Sequence, residues 1–236
     1  MLNYADFFGP EFLALTSDAS VDFRTGNFVA CDKIVLTAEQ KAWLDARQIP
    51  CDRGPVFPKQ VHGDGIWEAR GLEAAHIGGH EADAVVTAVP GLPVAVRTAD
   101  CLPVLIADPV RKVVAAVHAG WRSTQADIVQ KTIRFMHRKW LVKPSDLKVV
   151  LGPCIRPASY EVGEEFLSIF PGDVITKEGR HFLDLASANR RRLLASGVRS
   201  ENIFDCGLDT FTAPDFFSFR RDGEKAGRML SVILIR

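Results

Sequence analysis

One segment, residues 97–124, constrains the fold and the chemistry of this chain most strongly. It reads RTADCLPVLIADPVRKVVAAVHAGWRST. Two apolar runs, residues 102–107 and 112–118, flank an Asp108-Pro109 pair. Short runs rich in Val, Ile and Ala that are separated by a turn sequence predict two antiparallel strands.

The reactive side chains of this segment lie at the ends of the two runs that are far from the turn. They are Arg97, Asp100, Cys101, His118, Trp121 and Arg122. Loops held by a rigid sheet are favoured places for binding and catalysis. The pattern therefore predicts a functional site at this end of the strand pair.

The register of the two strands can be estimated from the turn. If Pro109 and Val110 are the central residues of a four-residue turn, counting outwards places Cys101 opposite His118. Directly paired residues have Cβ atoms about 4.5–5.5 Å apart. A thiolate and an imidazole at that separation can share a metal ion or a proton, so we interpret Cys101 and His118 as a candidate pair of metal ligands or catalytic groups.

A zinc site needs at least one further ligand, because a catalytic zinc ion has three protein ligands and one open position. The candidates are the remaining histidines, His62, His76, His80, His137 and His181. His62 is favoured, since it lies in KQVHGDG, where Gly63 allows the chain to turn at the end of a short segment.

The rest of the chain alternates between strand-like and helix-like patterns. Thr37-Ala38-Glu39-Gln40 has the form of a capping box and predicts a short helix. Residues 129–140 carry apolar side chains at helical spacing, with Ser123 as the expected N-cap, and further helices are expected at 162–170 and 184–196. Several neighbouring strands look antiparallel, which favours an α+β fold with one domain over residues 1–236.

Composition excludes several classes of function. The 29 basic side chains balance the 29 acidic ones, so no overall positive field indicates a nucleic-acid ligand. Residues 190–192, three consecutive arginines, are interpreted as the polar side of a helix. No apolar stretch is long enough to span a membrane, and the N-terminus lacks the basic start of a secretory signal.

The cysteines bear on the cellular compartment. The chain has five, at positions 31, 51, 101, 154 and 206, an odd number at irregular spacing. That pattern is typical of reduced thiols, so the sequence predicts a cytoplasmic protein.

Seven motifs along the chain resemble one known family. They are KQVHG, ADAVVT, RTADCLPVLIAD, AAVHAGWRST, LGPCIRPASYEVG, LDLASANRRRLLASGV and FFSFRRDG followed by GR. They occur in the order seen in the YfiH-like, laccase-domain family, whose members have been called polyphenol oxidases. Members are now described as purine nucleoside phosphorylases with adenosine deaminase and methylthioadenosine phosphorylase activities. The resemblance covers residue 58 to the C-terminus.

The resemblance implies a layered α/β/β/α sandwich with mixed β-sheets. It also implies that the metal ligands are the His of QVHG, the Cys of TADC and the His of HAGWR. Here these are His62, Cys101 and His118. Zinc is the expected metal, with copper as an alternative.

The chain departs from the family pattern in three places. The N-terminal region, residues 1–57, diverges, and its TGNF at 25–28 is at best a remnant of the family's opening motif. Arg156 stands where the family often has Gly, and Gly207 follows Cys206 where the family has Thr. The expected metal ligands match the family pattern, whereas the family's N-terminal motif, which would contact the substrate, has no clear match in this chain.

Two reactions fit the expected site. Deamination of adenosine needs activated water and an acid/base group, for which Asp100 is the nearest candidate in sequence. Phosphorolysis needs cationic groups for phosphate, because a guanidinium binds phosphate through a fork of N–H donors. The candidates are Arg97, Arg122, Arg220 and Arg221. We expect purine nucleosides and phosphate as partners of a monomer or homodimer.

Three other interpretations stay open at the level of the sequence. A copper phenol oxidase could use one Cys and two His, although a multicopper oxidase needs many more than the six histidines present. A metal-independent cysteine hydrolase could use Cys101 as nucleophile and His118 as base. A purely structural zinc site would be closed by a fourth protein ligand.

Overall fold

The computed structural model describes residues 1–24, 27–29, 33–50, 54–71 and 80–236, with 27–29 and 33–35 described by their backbone alone. The strands are β1 (Leu2–Asn3), β2 (Phe12–Thr16), β3 (Asn27–Val29), β4 (Lys33–Val35), β5 (Ile66–Glu68), β6 (Ala84–Thr87), β7 (Val94–Thr98), β8 (Leu102–Asp108), β9 (Val113–Ala119), β10 (Lys148–Leu151), β11 (Glu161–Val162), β12 (Val174–Lys177), β13 (Arg180–Leu183), β14 (Ile203–Asp205) and β15 (Met229–Ile235). The α-helices are α1 (Ala5–Phe8), α2 (Ala38–Asp45), α3 (Trp121–Gln125), α4 (Ile128–Trp140), α5 (Phe166–Ile169), α6 (Leu185–Ala195) and α7 (Phe219–Asp222).

Two sheets form the centre of the molecule. One has the strand order β1-β2-β15-β7 and is antiparallel throughout. The other has the order β14-β10-β8-β9-β6-β5 and is mixed, because the outer pairs β14-β10 and β5-β6 are parallel and the inner pairs antiparallel. Two smaller antiparallel ladders, β11-β13-β12 and β3-β4, lie outside these sheets.

The sheets pack face to face, and helices cover both outer faces. The alternation in β2 shows this directly, since Phe12 and Ala14 point into the apolar layer between the sheets while Leu13 and Leu15 pack with Trp43 of α2. On the far side, α4 and α6 pack against the six-stranded sheet. Strands buried on both faces read as continuous apolar runs. The predicted α+β fold with a layered α/β/β/α arrangement is confirmed.

Most of the predicted helices are present, with local corrections. The capping box at Thr37 forms as expected, and α4 spans the predicted apolar stripe. Ser123 is not the cap of α4, because a separate short helix, α3, begins after Gly120 and contains it. The predicted helix at 162–170 shrinks to the single turn of α5, preceded by the short strand β11.

The predicted register of the β8–β9 hairpin is wrong by two residues. His118 pairs with Pro103, and Asp108 pairs with Val113, so the loop is longer than predicted. Asp108 explains this, because its Oδ1 accepts the backbone N–H groups of Val110 (2.7 Å) and Arg111 (2.9 Å). A shift of two residues preserves the face on which each side chain lies.

None of the helices in the described part of the chain is long and apolar enough to cross a membrane.

Candidate metal centre and its pocket

The first candidate ligand, His62, lies in a loop that is folded around a buried carboxylate. Asp83 precedes β6 and is completely buried. Its Oδ1 accepts the N–H of His62 (3.0 Å), and its Oδ2 accepts those of Val61 (3.3 Å) and Gly63 (2.7 Å). These bonds hold His62 in the left-handed region, at a φ of 59°.

The second candidate ligand, Cys101, directly precedes β8. In the observed register Leu102 pairs with Ala119, so the next position places Cys101 beside Gly120. A Cβ added at Gly120 would lie 3.1 Å from Sγ of Cys101 and 3.1 Å from Cδ2 of His62. The glycine of the HAGWR motif therefore leaves the space in which the two ligands approach each other.

The third candidate ligand, His118, lies near the end of β9 and is buried. Its backbone N–H donates to the carbonyl of Asp83 at 2.7 Å, and its Nδ1 lies 2.7 Å from the Asp83 carboxylate. Because Nδ1 is engaged, Nε2 is the ring nitrogen left for a metal or a proton. A carboxylate behind a histidine ligand is the usual way in which proteins fix the ring orientation at a metal.

His62, Cys101 and His118 converge on one point. Their ligand atoms all lie within 4.8 Å of one another, and Sγ of Cys101 is 3.9 Å from Nε2 of His62. The side chains come from three separate segments of the chain. They converge even though the register of β8 and β9 differs by two residues from the predicted one. Two imidazoles and one thiol suit Zn²⁺, and thiolate with imidazole also suits copper. The donor set therefore fits a single metal ion.

The electrostatics favour a thiolate beside a protonated imidazole when no metal is bound. Burial raises the pKa of Cys101, but the neighbouring His118 outweighs burial and brings that pKa below its usual value. Burial lowers the pKa of His118, but Cys101 and Asp83 together raise it above its usual value. The same pairing lowers the pKa of Asp83 against the opposing effect of burial. A nucleophile or metal ligand is thus present in its reactive form.

The three residues lie in a pocket of about 460 Å³. The described residues that line it are Arg24, Gln60, His62, Arg97, Thr98, Ala99, Asp100, Cys101, His118, Ile155, Tyr160, Leu185, Phe219, Arg220 and Arg228. Arginines and aromatic rings predominate among the large side chains in this set. The pocket therefore suits an anionic group together with a flat ring.

Of the four arginines predicted to bind phosphate, two line the pocket. Arg97 stacks on Phe57, with its guanidinium carbon 4.5 Å from the ring centre, and Arg220 lies over Tyr160 at 5.3 Å. Arg122 instead covers the ring of Trp121 at 4.4 Å and is not among the lining residues.

Arg221, the fourth predicted arginine, is not among the described residues that line the pocket. Its guanidinium donates to the carbonyls of Thr210 (3.0 Å) and Phe216 (2.8 Å) and pairs with Asp222 at 2.9 Å. These contacts tie the loop before α7 to the helix.

Asp100, predicted as an acid/base group, lines the pocket but has both carboxylate oxygens engaged. Oδ1 accepts from Oγ1 of Thr210 at 2.7 Å, and Oδ2 accepts the backbone N–H of Arg220 at 2.6 Å. Its own φ of 82° is in the left-handed region. In this arrangement Asp100 positions α7, and with it the side chain of Arg220.

Sequence reasoning missed two pocket arginines, Arg24 and Arg228. Arg228 is the Arg of the GR motif near the C-terminus, so the motif itself was a signal. Arg24 lies in the divergent N-terminal region, where no pattern marked it. The two lie at opposite ends of the chain and meet because β15 runs beside the N-terminal strand β2.

The other histidines that were considered as ligands lie elsewhere, as far as they are described. His80 stacks on Trp67 at 4.5 Å, Nδ1 of His137 lies 2.9 Å from the carbonyl of Val142, and His181 contacts Thr176. His76 lies outside the described residues, as do Cys31 and Cys51.

The three consecutive arginines of α6 make contacts within the protein. Arg190 donates to Oγ of Ser200 at 2.8 Å, Arg191 pairs with Asp173, and Arg192 donates to Asp127 at 3.0 Å. These contacts agree with the polar side of a packed helix.

Comparison with known proteins identifies the family to which the chain is similar. A family model described as multi-copper polyphenol oxidoreductase laccase matches residues 23–236. A protein of Bacteroides thetaiotaomicron named purine nucleoside phosphorylase is 42% identical over 166 residues, which are 66% of this chain and 62% of that protein. The YfiH protein of Shigella flexneri, also named purine nucleoside phosphorylase, is 37% identical over 187 residues, which are 76% and 73% of the two chains.

Solved structures agree with this assignment. The crystal structure of Bacillus licheniformis hypothetical protein YfiH superposes with a TM-score of 0.83 at 26% identity and covers 95% of this chain and 93% of that one. YlmD from Geobacillus stearothermophilus gives a TM-score of 0.82 at 27% identity, with coverage of 96% and 93%. Since the family model extends over nearly the whole chain and the fold agrees, the chain belongs to the laccase-like polyphenol oxidoreductase family, together with the YfiH and YlmD proteins.

Proposed function

We propose that this protein is a zinc-dependent purine nucleoside phosphorylase. It converts adenosine, inosine or methylthioadenosine and phosphate into the free base and the corresponding ribose 1-phosphate, and it deaminates adenosine in a second activity. The observation that carries the proposal is the convergence of His62, Cys101 and His118 in a pocket that is also lined by arginines. The names of the relatives support the same reaction.

Phosphorolysis divides into tasks that this pocket can perform. An oxygen of HPO₄²⁻ forms a bond with C1′ of the ribose while the bond from C1′ to the purine nitrogen breaks. The electron pair of that bond and the proton of the phosphate go to the departing base. Arg97 and Arg220 bind and orient the phosphate, and such fixed cations stabilise the charge that moves in the transition state.

His62, Cys101 and His118 would hold the metal. When bound, zinc would supply a Lewis acid for the leaving purine and would activate water for deamination. The residues of the chain fix the arrangement, because Asp83 orients His118 and shapes the loop that carries His62. Asp100 acts as a positioning residue for Arg220.

The proposal is tested by chromatography of adenosine and inosine incubated with zinc-loaded protein, with and without phosphate. We expect free base to appear only with phosphate and to be lost in Cys101→Ala. Inosine formed from adenosine without phosphate would report the deaminase activity separately. No turnover of any of these nucleosides by metal-replete protein would overturn the proposal.

One observation favours a second candidate, a metal-independent cysteine hydrolase. Cys101, His118 and Asp83 form a chain in which the carboxylate orients the imidazole and the imidazole faces the thiol, as in a Cys-His-Asp nucleophile system. Chelation separates the two candidates. Removal of zinc abolishes the phosphorylase but leaves a cysteine hydrolase active, whereas alkylation of Cys101 abolishes both.

A copper phenol oxidase is the weaker alternative, despite the description of the family. Within the described residues, the group of His, Cys, Asp and Glu side chains placed to hold a metal is the one of His62, Cys101 and His118. A multicopper oxidase needs several copper ions with many histidine ligands, and the chain has six histidines in total. Metal analysis of the purified protein, followed by an assay for phenol oxidation, tests this alternative.

A further inference from the structure

Three guanidinium groups meet on one side of the pocket, in a cluster that we call the arginine wall: Arg24, Arg97 and Arg228. Nη1 of Arg24 and Nη1 of Arg228 both donate to the carbonyl of Ala226, at 3.2 and 2.8 Å. Nη1 of Arg97 lies 3.4 Å from the carbonyls of Phe23 and Arg24. Arg24 and Arg228 thus share one acceptor, Arg97 contacts the backbone of Arg24, and all three side chains line the pocket although they come from distant parts of the sequence.

A single carboxylate fixes the backbone of this wall. Oδ1 of Asp22 accepts the N–H of Arg24 at 2.7 Å and the N–H of Arg228 at 2.8 Å. A Cβ added at Gly227 would lie 2.8 Å from Cγ of Asp22, so only glycine allows this approach. The wall is therefore held in place before any ligand arrives, which lowers the entropy cost of binding.

The wall carries more positive charge than its surroundings neutralise. Arg24 forms an ion pair of 3.5 Å with Asp22, while Arg97 and Arg228 form none with the carboxylates of the described residues. Arg97 is held instead by the face of Phe57, and Arg228 lies 5.8 Å from the ring centre of Phe219. Burial and the proximity of Arg228 lower the pKa of Arg97 to about 10.

We propose that Arg24, Arg97 and Arg228 form a subsite for a phosphoryl dianion. Among the described residues, one carboxylate, that of Asp22, lies against the three guanidinium groups, so two positive charges are left over, which matches the charge of a dianion. Arg97 and Arg228 donate to backbone carbonyls through Nη1. Their Nε and Nη2 groups make no hydrogen bond with the described residues, so these N–H groups can bind phosphoryl oxygens in a fork. The assignment adds Arg24 and Arg228 to the phosphate-binding set, and where it concerns the co-substrate of phosphorolysis it rests on the proposed function.

The test measures binding of inorganic phosphate to the zinc-loaded protein by equilibrium dialysis, without nucleoside. We expect one phosphate per chain, with the dissociation constant raised at least tenfold in Arg97→Gln and in Arg228→Gln. Arg122→Gln is the matched control, because Arg122 covers Trp121 and is not among the lining residues. Unchanged affinity in both wall variants would overturn the proposal.

A second measurement works on the wild-type protein and does not depend on the folding of a variant. Phenylglyoxal modifies accessible arginines, and peptide mapping locates the modified positions. We expect phosphate to protect Arg97 and Arg228 but not Arg122. Equal modification of the wall with and without phosphate would count against the subsite.

The dianion could be free phosphate or the phosphate of a nucleotide, and two assays separate these sources. If the wall binds free phosphate, the wall variants raise the KM for phosphate more than the KM for inosine. If it binds the phosphate of a nucleotide, inosine 5′-monophosphate binds more tightly than inosine, and the difference disappears in Arg228→Gln. Either result supports the subsite, and the absence of both effects would refute it.

Failure of the subsite can be distinguished from failure of the proposed function. Phosphate that binds to the wall of a protein with no phosphorylase activity overturns the proposed function and leaves the subsite. Normal phosphorolysis in the wall variants would overturn the subsite as the site of the co-substrate and leave the proposed function intact.

Discussion

The carboxylate of Asp83 lies 2.7 Å from Nδ1 of His118 and at the same time accepts the backbone N–H of His62 at 3.0 Å. One completely buried side chain thus sets the orientation of one candidate metal ligand and the loop conformation of another. A change at Asp83 is therefore transmitted to both candidate ligands, although Asp83 is not itself one of the three side chains placed to hold a metal.

We expect Asp83→Asn to weaken zinc binding about 10- to 100-fold, the usual cost of losing a group that orients a metal ligand. The side-chain amide of Asn has one acceptor oxygen where the Asp83 carboxylate has two. Its NH₂ group would lie near backbone N–H donors that now bind the carboxylate. Competition with a chromophoric chelator measures the affinity directly. Asp64→Asn is the matched control, since Asp64 is exposed and pairs with Lys131. Equal zinc affinity in the two variants would contradict the prediction.

A substitution at Gly120 provides a second test of the same candidate metal centre. A methyl group at this position would meet Sγ of Cys101 and the ring of His62, each at 3.1 Å. We expect Gly120→Ala to lower zinc occupancy and activity together while the fold is retained, because the clash falls on the ligands and not on the core. Metal analysis and circular dichroism check the two parts. Gly71→Ala, with no atom of the described residues within 4 Å of the added Cβ, should behave as the wild type.

The sequence was sufficient to select the three candidate ligands that converge in the structure but not their exact pairing. Cys101 and His118 were predicted to be direct partners, whereas Cys101 lies beside Gly120 and His118 pairs with Pro103. The prediction of a shared site survives, because side chains two positions apart on a strand point to the same face. The error came from Asp108, whose carboxylate supports a longer loop that strand patterns do not reveal.

The arginines show where sequence reasoning stops. The sequence does not distinguish the four candidate phosphate-binding arginines, which are Arg97, Arg122, Arg220 and Arg221. Only their neighbours in the structure do. Arg122 is taken up by Trp121 and Arg221 by backbone carbonyls, while Arg97 and Arg220 line the pocket. Such differences depend on contacts between distant segments, which a single sequence does not specify.

A local feature that the sequence did specify offers a test of stability. The side chain of Thr37 accepts from the N–H of Gln40 at 3.1 Å, and the side chain of Gln40 accepts from the N–H of Thr37 at 3.0 Å. Loss of an N-cap of this kind costs about 1 kcal/mol. We expect Thr37→Ala to lower the free energy of unfolding in urea by about that amount. Thr37→Ser keeps the capping oxygen and should lose much less, and equal losses in the two variants would mean that the cap is not the cause.

The thiolate character of Cys101 predicts selective alkylation of the metal-free protein. The pKa of Cys101 is lowered by His118 against the effect of burial, whereas burial raises the pKa values of Cys154 and Cys206. With zinc removed by a chelator, we expect iodoacetamide at pH 7 to modify Cys101 before Cys154 and Cys206. Peptide mass mapping measures the order of modification. A lowered pKa keeps the thiolate at neutral pH, so the rate at Cys101 should change little above pH 7 and fall only in acid.

Two comparisons make this result specific. Zinc should protect Cys101, because the metal occupies the thiolate, and it should leave the rate at Cys206 unchanged. His118→Gln removes the neighbouring imidazolium, which outweighs His62 among the groups that lower the pKa of Cys101 against burial, so the alkylation profile should move to higher pH. A profile that stays in place in His118→Gln would show that His118 does not stabilise the thiolate, and it would remove the support for a Cys101–His118 catalytic pair.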